Sequence, residues 1–71
     1  MEGEAYSVLG ATYLNLNEFE RAMECHKKHL SIANEVGDRR GKGHAYLNIG
    51  NVHNSLGDVP RAMEYLSLIH I

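Results

Sequence analysis

Apolar side chains recur along this chain at helical spacing, in four groups separated by short polar breaks. The first group is Ala5, Tyr6, Leu9, Tyr13 and Leu16. The second is Phe19, Ala22, Met23, Leu30 and Ala33, with His26 on the same stripe. The third is Ala45, Tyr46, Ile49, Val52 and Leu56, and the fourth opens with Val59, Ala62 and Met63. No stretch alternates with the period of two that a half-buried strand requires. The pattern predicts an all-α chain with helices over roughly 2–16, 18–36, 40–56 and 59–65.

The breaks carry turn chemistry. Gly57 can take the left-handed conformation that ends a helix, and Asp58 can then cap the next one. Pro60 falls in that helix's first turn, where a missing N–H costs nothing. Asn17-Glu18 is expected to do the same job earlier, since asparagine tolerates the left-handed region. Gly37-Asp38 separates the two halves in the same way.

Those halves repeat with a period of 40 residues. Between Gly3/Gly43 and Glu24/Glu64, nine of 22 aligned pairs are identical, without a gap. They include Ala5/Ala45, Tyr6/Tyr46, Gly10/Gly50, Arg21/Arg61 and Ala22/Ala62. A fixed period of this size marks a solenoid, whose units bury their apolar faces against their neighbours. A glycine inside a helix costs about 1 kcal/mol relative to alanine, so Gly10 and Gly50 call for a reason. Close packing of paired helices supplies one, with Ala22 and Ala62 as the expected small partners.

These residues resemble the tetratricopeptide repeat. Tyr6-x-x-Leu9-Gly10-x-x-Tyr13 followed by Ala22 is similar to that family's pattern, and so is Tyr46-x-x-Ile49-Gly50-x-x-His53 followed by Ala62. The period exceeds the usual ~34 and resembles the long-spaced subclass of the LGN/Pins cell-polarity adaptors. Those repeats carry runs like His26-x-x-His29-Leu30-Ser31-Ile32-Ala33-x-Glu35-x-Gly37-Asp38-Arg39 and Leu47-Asn48-Ile49-Gly50-Asn51. The resemblance covers roughly Gly3 to Tyr65. Departures are His53 for the aromatic, Val59 in place of an aromatic like Phe19, and Asn34 where the family has proline. HEAT and armadillo repeats have a similar period but lack this Leu-Gly and Ala arrangement. The resemblance implies antiparallel helix hairpins of an α-solenoid, about one and three-quarter repeats. The expected division is 1–37 for the first repeat and 38–65 for the second.

The repeat stops near the C-terminus. From Cys25/Tyr65 to Ser31/Ile71 no aligned pair is identical. Leu68 and Ile69 fall where the first half has Lys28 and His29, and His70 falls at Leu30, which breaks the amphipathic pattern on both faces. Leu66-Ser67-Leu68-Ile69-His70-Ile71 reads like an in-frame translation of a transposase-based sequencing adapter. Residues 66–71 are therefore expected to be foreign to the repeat. A divergent capping repeat is the other reading.

Composition narrows the function. The 71 residues hold less than two full repeats, and a stable stack takes about three. A core this small rarely supplies more than ~3–5 kcal/mol, so the expectation is a piece of a longer array. The net charge of −2 gives no electrostatic footprint for nucleic acid. Arg39-Arg40-x-Lys42, beside Glu35 and Asp38, reads as a solvated helix start. No apolar run approaches the ~20 residues of a membrane span, and the residues after Met1 do not form the charged n-region and apolar h-region of a signal peptide, which bears on targeting only if Met1 is the true start. The single cysteine favours a reducing compartment, and the expected location is cytoplasmic.

Candidate chemistry is thin. His26 and His29 lie one turn apart and Cys25 is adjacent, yet Cys25 is off their face and no further ligand stands at zinc spacing. His44 and His53 lie on different faces. No metal and no cofactor is expected. Cys25 lacks a basic partner that would make it a nucleophile, although Lys28 is one turn away. Gly41-x-Gly43 does not continue into a phosphate-binding loop. No enzyme is expected in this segment.

A better candidate is an interaction surface. On the third helix His44, Leu47, Asn48, Asn51 and Ser55 form a stripe about 140° from the apolar one centred on Ile49. The equivalent stripe of the first helix is Glu4, Ser7, Ala11 and Asn15. The resemblance implies that these first helices line a concave groove. There His44, Leu47, Asn48, Asn51, Ser55, Ser7 and Asn15 would meet a protein or peptide ligand, with amides that donate to and accept from its backbone. An ordinary solvated helix face is the alternative. The expected function is a peptide-binding repeat of an intracellular scaffold or adaptor, flanked by neighbouring repeats. The other reading is an architectural array whose effector or enzymatic domain lies elsewhere in the full chain.

Overall fold

Each polar break becomes the same turn. Asn17, Gly37 and Gly57 all adopt positive φ, at 61°, 68° and 80°. The next N–H then reaches back five residues: Glu18 to the Tyr13 carbonyl, Asp38 to Ala33 and Asp58 to His53, each at 2.9 Å. This is the helix stop that a left-handed residue creates. Asn17 occupies the left-handed region as a non-glycine residue, which a short amide side chain permits.

The computed structural model describes residues 2–69. Helix α1 spans Glu2–Asn15, α2 Phe19–Val36, α3 Arg39–Ser55 and α4 Val59–Ser67. Observed and expected ends differ by a residue or two, the usual scatter. Helix α4 runs through Leu66 and Ser67, inside the segment expected to be foreign; His70 and Ile71 of that segment lie outside the described residues.

Capping differs between the turns. The Asp38 carboxylate accepts from the Gly41 N–H at 3.0 Å, and that of Asp58 accepts from the Arg61 N–H at 3.3 Å. Glu18 makes no such bond. Its expected likeness to the aspartates holds for the backbone and fails for the side chain. Instead Glu18 meets the Arg21 guanidinium at 3.7 Å, as Asp58 meets Arg61 at 3.4 Å. The repeated arginine thus ties each α-hairpin turn to the helix that follows. Both pairs are exposed, so each contributes little.

Consecutive helices pack in order, α1 on α2, α2 on α3, α3 on α4. Helix α1 also touches α3, whereas α2 and α4 do not meet among the described residues. The molecule is therefore two layers of helix hairpins, 31 × 24 × 14 Å, with the α1/α3 layer the tighter. The core sits around α3, where Ala45, Ile49 and Val52 are fully buried. Ala22, Ala33 and Ala62 face it from α2 and α4. Helix α1 carries the same apolar pattern as α3, yet Leu9 is exposed where its counterpart Ile49 is fully buried. The reason is position: α3 lies between helices on either side, while α1 is covered on one side only.

The glycine contacts correct one expectation. A Cβ on Gly50 would lie 3.2 Å from the Ala62 carbonyl oxygen, as expected of a small partner. A Cβ on Gly10 would instead lie 2.5 Å from Cε1 of His26. The first hairpin uses its glycine to admit an imidazole ring, and Ala22 is buried without being that glycine's nearest contact.

Candidate functional site

Helices α1 and α3 run side by side and expose one shared face. Register sets it up: residues four and three apart stack on one side of a helix, so Glu4, Ser7, Val8 and Ala11 of α1 stand beside His44, Leu47, Asn48 and Asn51 of α3. Asn48 donates from Nδ2 to Ser7 Oγ at 3.4 Å. That bond is long. It turns the Asn48 amide towards α1 and leaves its carbonyl oxygen free to accept. Asn51 and Ser55 are exposed further along α3, and Asn15 is exposed at the end of α1. No hydrogen bond joins those three to the others among the described residues. Leu47 is 39% exposed and Val8 68% exposed. Val8 stands at the register of Asn48, forty residues earlier, and was not singled out; that correspondence is the signal that finds it.

The N-terminal ends of α1 and α3 enclose a pocket of about 500 Å³. Glu4, Ser7, Val8, His29, Asp38 and His44 line it, with Arg40 at its edge. Ser7 and His44 are thus brought together as well. His29 rises from α2 to form the floor and meets His44 edge-on, ring centroids 6.3 Å apart. Burial holds His29 below the ordinary imidazole value, and the neighbouring His44 adds to that; Asp38 and Glu4 pull the other way. One Asp38 oxygen is already committed to the α3 cap.

This arrangement can present donors, acceptors and small apolar patches to a polypeptide. Cys25 is buried, and burial, then the charge of Glu24, pushes its thiol up, so it stays protonated. No three His, Cys, Asp or Glu side chains among the described residues group to hold a metal ion. No helix of the described residues is long and apolar enough to cross a membrane. His53 is engaged on the other side, stacked on Tyr65 at 5.4 Å and 3.9 Å from Asp58.

Compared with known families, residues 2–67 match the tetratricopeptide repeat. The chain belongs to the tetratricopeptide repeat family. Its four helices are the hairpin repeats of that solenoid, and a repeat of this kind is a protein-interaction module. Among relatives, human G-protein-signaling modulator 1 is 46% identical over 52 residues, 73% of this chain and 8% of the relative. Tetratricopeptide repeat protein 29 of Macaca fascicularis is 36% identical over 66 residues, 93% of this chain and 14% of the relative. Human outer dynein arm-docking complex subunit 4 is 34% identical over 62 residues, 87% of this chain and 9% of the relative. The chain therefore spans only a small part of each relative's length. No solved structure matches it.

Proposed function

We propose that this tetratricopeptide segment binds a partner polypeptide along the α1/α3 face, within a cytoplasmic scaffold or adaptor. The observation that carries the reading is the Ser7–Asn48 bridge between two helices whose neighbouring groups stay open. It leaves the Asn48 carbonyl and the exposed Asn51 amide beside the apolar Val8 and Leu47. An extended chain needs this combination: amides pair its backbone while shallow apolar patches take its side chains. His44, Ser55 and Asn15 extend the surface towards both ends. The tighter α1/α3 layer supports a concave side there. A buried, unpaired Cys25 fits a reducing compartment.

The relatives support the class and leave the partner open. One is named a G-protein-signaling modulator and another a docking-complex subunit; both names describe work done on or with other proteins. Exposed Leu9 and Leu16 at one end, and Met63 and Val59 at the other, fit coverage by neighbouring repeats of the same array. Within this proposal the repeats divide at 37/38 and the tail after Tyr65 is foreign; resequencing the coding DNA across Tyr65 decides the tail.

Hydrogen exchange on the full-length protein, with and without its partner, tests the surface. Amides of α1 and α3 around Ser7 and Asn48 should gain protection on binding. Protection confined to α2 and α4 would move the site to the opposite face.

A further inference from the structure

The core between α1, α2 and α3 contains two imidazoles. His26 is 1% exposed and His29 6%. Nδ1 of each is buried with no hydrogen-bond partner among the described residues. Helix α1 makes room for both rings by omitting side chains. A Cβ on Gly10 would come within 2.5 Å of His26, and one on Gly3 within 3.1 Å of His29. A neutral ring is tolerated in such a site. An imidazolium is not: both its nitrogens must donate, and its charge has left water.

The charged neighbours offer partial relief to one ring only. From α3, His44 packs on His29 and Arg40 stands at the pocket's edge. From α1 comes Glu4 and from the α2–α3 turn Asp38, and both favour a proton on His29. His26 feels burial first, then His29 and His44, all of which oppose a proton. On α2 itself Lys27 and Lys28 are exposed on the outside.

We propose that the first hairpin is a proton-operated joint: a proton on His26 or His29 unlocks α1 from α2, and His44, resting on His29, passes the change to the α1/α3 face. The last clause rests on the groove reading; the unlocking does not. Both imidazoles are held below their ordinary value of 6.5. Stability is therefore whole above that pH. It falls as the pH drops towards the folded-state values, because the unfolded chain takes up protons that the folded chain refuses. Each such proton changes the unfolding equilibrium about tenfold per pH unit.

The second hairpin, completed by the tail proposed to be foreign, shows that the backbone accepts other side chains at these positions. Forty residues on, Leu66 and Ile69 stand at the registers of His26 and His29. A Cβ on Gly50 would lie 3.4 Å from Leu66, and one on Gly43 3.7 Å from Ile69. Aliphatic side chains therefore fit these positions against glycine.

The test is thermal unfolding of the full-length protein by circular dichroism from about pH 7.5 to about pH 5, native and with His26→Leu and His29→Ile together. The native midpoint should fall across this range, and that of the double variant should fall less. Equal pH dependence in both would overturn the proposal. Should the double variant fail to fold, NMR titration of the native imidazoles decides instead. His26 and His29 should titrate below free imidazole, with the amides of His44 and Asn48 shifting alongside. Titration of both rings at or above the free value would overturn it. A His29 titration below the free value with silent His44 and Asn48 amides would overturn the link to the groove face alone.

Discussion

In the first hairpin the mid-helix glycine faces an imidazole; in the second it faces a backbone carbonyl and a leucine. The two hairpins share their turns, their glycines and the arginine that reaches back to the turn. Among their differences are His26/Leu66, His29/Ile69 and Cys25/Tyr65, where the second hairpin stacks Tyr65 on His53. The same hairpin backbone thus accommodates either filling. The second hairpin has aliphatic side chains at the first two of these registers, and its imidazole, His53, stands on α3 against Tyr65 instead. The first carries titratable rings under the face proposed to bind.

The largest effect that separates the two should come from bulk. Gly50→Leu in the full-length protein should lower stability by ~1–3 kcal/mol through overpacking, because its nearest obstacle is the Ala62 carbonyl oxygen, which moves only if α4 moves. A thermal melt checks it. A variant as stable as the parent would show that α3 and α4 are not in close contact.

Alanine sharpens the same comparison. Gly50→Ala meets the carbonyl at 3.2 Å, and the helix propensity gained, about 1 kcal/mol, roughly offsets the squeeze. Gly10→Ala must displace the His26 ring, which would otherwise sit 2.5 Å from the new carbon. The first should melt near the parent and the second clearly below it. The reverse order would mean that the ring yields more easily than the helix.

The turns provide a smaller contrast. Asp38→Ala removes a side-chain cap and should cost ~1 kcal/mol. Glu18→Ala removes none and should stay within about 0.5 kcal/mol of the parent. Denaturant melts of both variants distinguish them. Equal losses would assign the aspartate's effect to something other than capping.

The helices and turns were legible because local chemistry decides them. Gly37, Gly57 and Asn17 announce a left-handed stop, and Asp38 and Asp58 announce a cap. The repeat then located α3 against α1 by simple correspondence. Packing was less legible. Leu9 belongs to the same stripe that buries Ile49 in α3, and no local property tells that α1 is covered on one side only. His26 was placed on the apolar stripe, but its depth depends on the missing side chain of Gly10 on another helix. Of the candidate site, the stripe on α3 was readable from spacing; the bridge from Asn48 to Ser7 and the pocket floored by His29 needed two helices brought together.

The most direct measurement of the central claim is a binding titration of the full-length protein with its partner, comparing Asn51→Ala with Lys28→Ala. Asn51 is exposed on α3 and Lys28 is exposed on α2. Neither change should move stability by more than about 0.5 kcal/mol. Loss of an interfacial hydrogen bond that leaves a buried group unpaired costs ~1–3 kcal/mol, so Asn51→Ala should weaken binding roughly tenfold while Lys28→Ala leaves it unchanged. Weakened binding with Lys28→Ala and none with Asn51→Ala would contradict the account and put the partner on the α2/α4 face.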